Sequence, residues 1–302
     1  MSRFLGVERR YMGVALLFVL PAFVLLLGIT IYPLIRTVVL SFSSLELSVS
    51  PNERLIGLGN FVKVLTGDPR FWNAIKNTAI LGVVGVAAQV VLGMIFALMV
   101  QHLGKFRTLW VTLFMIPIMI APVVSGFQFR VIFNDTFGPL NYLIKNFSGG
   151  AITPPAWTAN PDTALLTIIM TDIWQWTPFM LLLMLAGFDS ISQELLEAAK
   201  VDGASFWQLL FRIKIPLILP IIIIGILIRV MDSFKTFDLV VLLTGGGPGS
   251  SSETIAYYTY LNGFQFFSMG YTAALAFVQL VIIILISRMF LSIQKRQRGG
   301  VL

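Results

Sequence analysis

A chain of 302 residues that is 57% hydrophobic and only 12% charged cannot hide its apolar surface in a water-facing fold, so lipid is its natural solvent. The absence of cysteine excludes disulfides, thiolate chemistry and cysteine-ligated metals, and the lone histidine, His102, leaves little for a histidine metal centre. The net charge of +7 is gathered at the termini and beside apolar segments, which fits anionic headgroups rather than nucleic acid.

In chain order the apolar runs predict an all-α integral membrane protein with six transmembrane helices. Residues 1–10 form a basic N-terminal segment, and the first span runs from Tyr11 to Ile35. That stretch is too long for a signal-peptide core. The second span covers Asn77–Val100, where Gly82, Gly85 and Gly93 with Ala87, Ala88 and Ala97 suit close helix packing. The third covers Leu109–Phe129 and the fourth Leu165–Phe188. The fifth starts near Pro216 and reaches at least Ile228; the sixth covers Tyr271–Ser287, so the transmembrane domain occupies 11–287 and a tail 288–302.

Basic flanks set the orientation. Arg3, Arg9 and Arg10, then Lys105 and Arg107, then Arg288, Lys295, Arg296 and Arg298 place both termini and the 189–214 loop on the cytoplasmic side. Arg36, Arg54, Lys63, Arg70 and Lys76 oppose this from the first external loop, diluted by Glu46, Glu53 and Asp68. The external segments near 36–76, 130–163 and 231–270 read as turns and short surface helices. The run Gly245-Gly246-Gly247-Pro248-Gly249 lacks a following Lys and reads as an external turn, not a phosphate cradle.

Within 189–214, four acidic and three basic side chains interrupt the apolar pattern. Ser190 is a cap candidate for a helix carrying Glu194 and an apolar side of Leu195, Leu196 and Ala199. Asp202-Gly203 signals a turn, and Ser205 caps a second short helix. Two helices joined by a turn make a compact knob able to pass on a push.

In the fourth span Trp174, Gln175 and Trp176 are either interface anchors or the lining of the external half of a solute route, with rings for stacking and an amide for hydrogen bonds. Arg229, Asp232, Lys235 and Asp238 recur at spacings of three at the end of the fifth span. Arg229 and Asp232 are expected to pair, since charge in lipid is costly; direct solute contact and placement at the external interface are the other uses for them.

The run Glu197-Ala198-Ala199-Lys200-Val201-Asp202-Gly203-Ala204-Ser205, continuing through Ile215-Pro216, resembles the EAA signature of permease subunits of bacterial ABC importers, with Ile-Pro in place of the commoner Leu-Pro. Tyr32-Pro33, Gly59-Asn60-Phe61, Asn77-Thr78 and Thr244-Gly245-Gly246-Gly247-Pro248 extend the resemblance to sugar permeases of the maltose and glycerol-3-phosphate type. It implies the type I importer permease fold in the bacterial inner membrane, with Glu197, Ala198, Ala199, Asp202, Gly203 and Ala204 as the contact to a cytoplasmic ATPase. It implies a second permease, two ATPase subunits holding ATP and Mg, an external solute-binding protein, and a sugar or polyol as cargo. No cofactor is expected in this chain itself. The alternative is an ion-coupled secondary carrier, for which Asp172 and Asp232 are the available carboxylates. An integral membrane enzyme would need a catalytic cluster that this composition does not supply.

The cysteine-free background makes the orientation testable. Single cysteines at Ser50 and Ser148 should react with an impermeant thiol reagent applied to intact cells, whereas those at Ser2, Ser205 and Gly299 should not. Strong labelling at Ser205 overturns the map.

Overall fold

The computed structural model describes residues 17–299. The expected N-terminal segment with Arg3, Arg9 and Arg10, and the start of the first span at Tyr11, lie outside them, as do the side chains of Lys295, Arg296 and Arg298. The chain forms two compact units, residues 17–67 with 259–280, and residues 68–258 with 281–299.

In the first unit, helix α1 (Leu17–Ser41) is apolar up to Arg36, apart from Thr30, and its most hydrophobic window has no buried residue. It leads into a short antiparallel hairpin, β1 (Ser43–Glu46) and β2 (Ser50–Leu55), pairing Ser43 with Leu55 and Ser44 with Arg54. The sequence gives little sign of these strands, because they are polar and lack period-two alternation. Helix α2 (Gly59–Thr66) pins the hairpin: the buried Asn60 amide donates to the carbonyls of Ser41 and Ser43 at 3.0 and 2.9 Å.

The second unit carries most of the bundle. Helix α3 (Pro69–Gln101) begins earlier than the expected Asn77, because Asp68 caps it by accepting from the Phe71 amide and Pro69 suits the first turn. A π-helical turn interrupts it at Leu81–Gly85. The expected third span is not one straight helix: α4 (Gly104–Met119) and α5 (Pro122–Ile132) meet at 91°. Pro122 forces the preceding Ala121 into an extended conformation, ψ 139°, and no helix can pass through that residue.

After α6 (Pro139–Phe147), the long helix α7 (Pro161–Asp189) forms the centre of the core. Helix α8 (Gln193–Val201) and a tight turn follow, and α9 (Phe206–Ser233) starts earlier than the expected Pro216 and reaches past Ile228 as expected. Short helices α10 (Asp238–Leu243) and α11 (Ile255–Tyr260) precede α12 (Met269–Gly299), whose apolar part extends to Gln294 rather than Ser287. Helices α1, α3, α7, α9 and α12 are each long and apolar enough to cross a bilayer, and the bent α4–α5 pair makes a sixth span if counted as one.

Small residues let these helices approach. A Cβ on Gly93 of α3 would lie 2.7 Å from the Met180 Cβ of α7, so the two backbones touch there. Ala97, Leu181, Met184, Phe188, Leu210 and Ile218 fill the core beside that contact. The glycine-rich loop is turned tightly and docked, with Glu253 buried and paired by Arg70 through Nε–Oε2 at 2.8 Å. The amides of Asn73 and Asn77 hold its backbone at Ser250 and Ser251, at 2.6 and 3.1 Å.

Gly93→Ala should lower the thermal unfolding midpoint of the detergent-purified protein, with an overpacking cost of about 1–3 kcal/mol. Gly28→Ala, where an added Cβ meets nothing within 4 Å, should leave it nearly unchanged.

Candidate functional site

The sequence places one strongly polar side chain, Gln89, deep in the apolar part of α3, one acid, Asp172, mid-way along α7, and Arg229 near the end of α9. Folding brings all three together. Arg229 Nη2 donates to both Asp172 oxygens at 3.0 Å, and its Nε donates to Gln89 Oε1 at 2.9 Å. Gln89 closes the ring by donating through Nε2 to Asp172 Oδ2 at 2.7 Å. Arg229 is 1% exposed and Gln89 0%, so this is a fully desolvated ion pair with its lone pairs and protons largely accounted for.

Local structure serves this cluster. The π-turn of α3 ends at Gly85, where an added Cβ would stand 3.4 Å from Asp172 Oδ2. A side chain there would crowd the carboxylate. The Arg229 guanidinium also sits 4.4 Å from the Trp176 ring centroid, giving the cation an aromatic face as well as a carboxylate.

A cavity of about 190 Å³ opens on this cluster, bordered by Asp172, Gln175, Trp176, Arg229, Asp232 and Lys235 among others. Gln175 donates through Nε2 to the Ile120 carbonyl at 2.9 Å, a group released from helical bonding by the α4–α5 break. Its Oε1 is buried without a hydrogen-bond partner. At the rim Asp232 accepts from Lys235 Nζ at 3.3 Å and lies 3.7 Å from Arg229 Nη1.

The expected site residues therefore divide. Gln175, Trp176, Arg229 and Asp232 share one cavity. Trp174 does not: it lies 5.1 Å from the Phe129 ring and borders a separate apolar groove of about 490 Å³. The expected placement of the Trp174–Trp176 group near the external end of its span is also corrected, since α7 starts at Pro161 and these residues lie near its middle. The Arg229–Asp232 pair exists but is the lesser contact, with Asp172 as the buried partner. Gln89 was the missed member, and its signal was plain: a lone amide in the otherwise apolar run 79–100.

The 189–214 segment forms α8 and the expected turn, but the expected second short helix is not separate: from Phe206 it runs on through Pro216 as the first turns of α9, which with α8 make up the knob. Helix α8 ends in a Schellman turn, with Ala204 N–H donating to Ala199 O and Gly203 N–H to Lys200 O, each at 3.0 Å, and Gly203 at φ 80°. Ser205 then forms a capping box with Gln208. Ser190 does not cap α8; its hydroxyl donates to the Gly187 carbonyl at the end of α7, and Ser192 occupies the cap position. Glu197, Ala198, Asp202 and Gly203 are exposed, while Ala199 and Ala204 are half-buried.

Residues 89–299, which include the cavity and the knob, match the family of binding-protein-dependent transport system inner membrane components. The chain belongs to that family. This permease is 32% identical to the sulfoquinovosyl glycerol transport system permease SmoG of Agrobacterium fabrum, over 97% of its own length and 93% of the relative's. It is 29% identical to the trehalose/maltose permease MalF of Thermococcus litoralis, over 93% and 94% of the two chains. A solved bacterial ABC transporter involved in import of the acidic polysaccharide alginate has the same fold, with a TM-score of 0.82, 24% identity and coverage of 98% and 99%.

Removing either member of the buried pair leaves an uncompensated charge. Asp172→Leu and Arg229→Met should each cost about 3–5 kcal/mol and sharply reduce detergent-stable protein. The double variant should recover much of the yield. Asp232→Asn, at the half-exposed rim, should change it by less than about 1 kcal/mol.

Proposed function

We propose that this permease carries a sugar or related polyol across the inner membrane by alternating access, driven by ATP hydrolysis on separate subunits. The observation that carries this is the polar cavity inside an apolar bundle. Its lining includes the Gln175 amide, whose buried Oε1 has no hydrogen-bond partner, an aromatic body at Trp176 and a charged rim at Asp232 and Lys235. Hydroxyl-rich solutes match such a set, because each hydroxyl both donates and accepts and the ring carbons pack on aromatic surface. The relatives named for trehalose, maltose and sulfoquinovosyl glycerol support that cargo class.

The knob is the coupling element in this reading. Glu197 and Ala198 face solvent on α8, beside the exposed apolar side chains of Val201, Phe206 and Trp207. Such a mixed surface suits docking to an ATPase subunit. The Schellman turn and capping box make the segment stiff, so a displacement of α8 passes into α7 and α9 rather than being absorbed. ATP and Mg belong to the two ATPase partners, the solute arrives on an external binding protein, and a second permease completes the pathway. The bare apolar surface of α1 suits lipid and that second permease. Both termini and the knob face the cytoplasm.

An ion-coupled carrier would need a carboxylate free to take up a proton or cation. Asp172 is engaged by Arg229 and Gln89, and Asp232 by Lys235 and Arg229, which favours the ATP-driven reading.

In the complex reconstituted with its binding protein, Gln175→Ala should raise the solute concentration for half-maximal uptake roughly two- to tenfold, the range of one net hydrogen bond. Gly203→Val, which forces a β-branched residue into positive φ at a cost of roughly 1–2 kcal/mol or more, should leave assembly intact and depress solute-stimulated ATP hydrolysis. Uptake that persists without the ATPase subunits would overturn the proposal.

A further inference from the structure

A second polar cavity, of about 480 Å³, lies between the knob and the adjacent ends of α3, α4 and α7, and it shares no lining residue with the cavity at Arg229. Its charge balance is unusual. Lys200 reaches it from α8 and Lys214 from the first turns of α9, and neither makes an ion pair among the described residues. Lys214 is half-buried: its Nζ donates to Gln101 Oε1 at 3.1 Å and lies 5.5 Å from the Phe188 ring centroid. Arg107 and Asp189, also on the wall, neutralise each other. His102 spends Nδ1 on the Leu98 carbonyl at 2.8 Å, which leaves Nε2 free to turn toward the cavity.

The ordinary explanation for cations here is the partial negative charge at helix C-termini. It does not account for Lys214, whose donor goes to a side-chain amide instead of the terminal carbonyls of α3 or α7. Two ammonium groups on one concave wall, one of them half-buried, form a receptor for an anion with several acceptor oxygens. The level of the cavity identifies the source. The apolar runs of α3 and α7 end at Gln101 and Asp189, and that of α9 begins after Lys214, so the cavity stands where headgroups meet the hydrocarbon. Beside it the start of α4 exposes Leu109 and Trp110, a surface for acyl chains and an interfacial indole.

We propose that this cavity binds the phosphate of an anionic phospholipid, bridging Lys200 of the knob to Lys214 of α9. Bound there, the lipid braces the knob against the bundle and makes its stiffness depend on the charge of the leaflet. The proposal does not rest on the identity of the solute.

The test uses the full-length, delipidated protein in detergent, followed by native mass spectrometry. Phosphatidylglycerol is titrated in one arm, phosphatidylcholine of the same acyl chains in a second, and inorganic phosphate in a third. Phosphatidylglycerol should bind the wild type more tightly than phosphatidylcholine. K200Q/K214Q should weaken it roughly tenfold or more, since each lysine near anionic lipid contributes on the order of 1 kcal/mol. K200Q alone, on an exposed face that cannot disturb folding, should weaken it several-fold, and K200R/K214R should retain it. Millimolar inorganic phosphate should neither bind with this lysine dependence nor displace the lipid. Equal affinity for the two lipids, a preference untouched by K200Q/K214Q, or lysine-dependent binding of inorganic phosphate without the lipid would each overturn the proposal.

Discussion

A guanidinium inside an apolar bundle has to be answered from several directions at once, and Arg229 is answered from three. Asp172 on α7 supplies the charge, Gln89 on α3 takes the Nε proton, and the Trp176 face covers the plane. No single helix could do this, because hydrogen-bond reach and helix spacing require the three backbones to lie in one register. Desolvation makes the arrangement intolerant: each group is costly alone and acceptable only in the company of the others. The cluster thus selects among the many ways in which three greasy helices could slide past one another.

Close packing and helix interruption work around that fixed point. Gly93 lets α3 touch α7 further along the same contact, while the π-turn at Leu81–Gly85 makes room for the Asp172 carboxylate. Pro122 breaks the third span and frees the Ile120 carbonyl, which Gln175 then satisfies. The polar cavity owes its shape to these irregularities. Regular helices of the same composition would pack to an apolar seam with nowhere for a hydroxyl to sit.

Much of this was legible in the residues. Apolar run lengths located the long helices, Asp202-Gly203 and Ser205 announced the turn and cap, and the charges near the end of the fifth span marked a polar site. Other features were hidden for physical reasons. A three-residue spacing makes Arg229 and Asp232 look like natural partners, yet the buried partner came from a helix 57 positions away in sequence. Tertiary pairing of that kind leaves no periodic trace. The break at Ala121 was readable from Pro122, but hydropathy averages across it. Trp174 and Trp176 look equivalent in a run of letters, whereas the helical period turns one ring to the polar cavity and the other to an apolar groove. The β-hairpin of the first unit stays silent because its strands are polar.

The Gln175 side chain joins two of these features in one conjugated group. Its nitrogen is bonded to the broken span at Ile120, and its oxygen is buried without a partner in a residue that borders the cavity. An amide shares electrons across its O–C–N frame, so a donor arriving at the oxygen draws charge from the nitrogen and strengthens the N–H···O bond behind it. A donor that reached this oxygen would therefore be felt, without any side chain moving, as a firmer grip on the kink between α4 and α5. The resonance of a single planar group would then tie the bend of a membrane helix to a donor at the other end of that group.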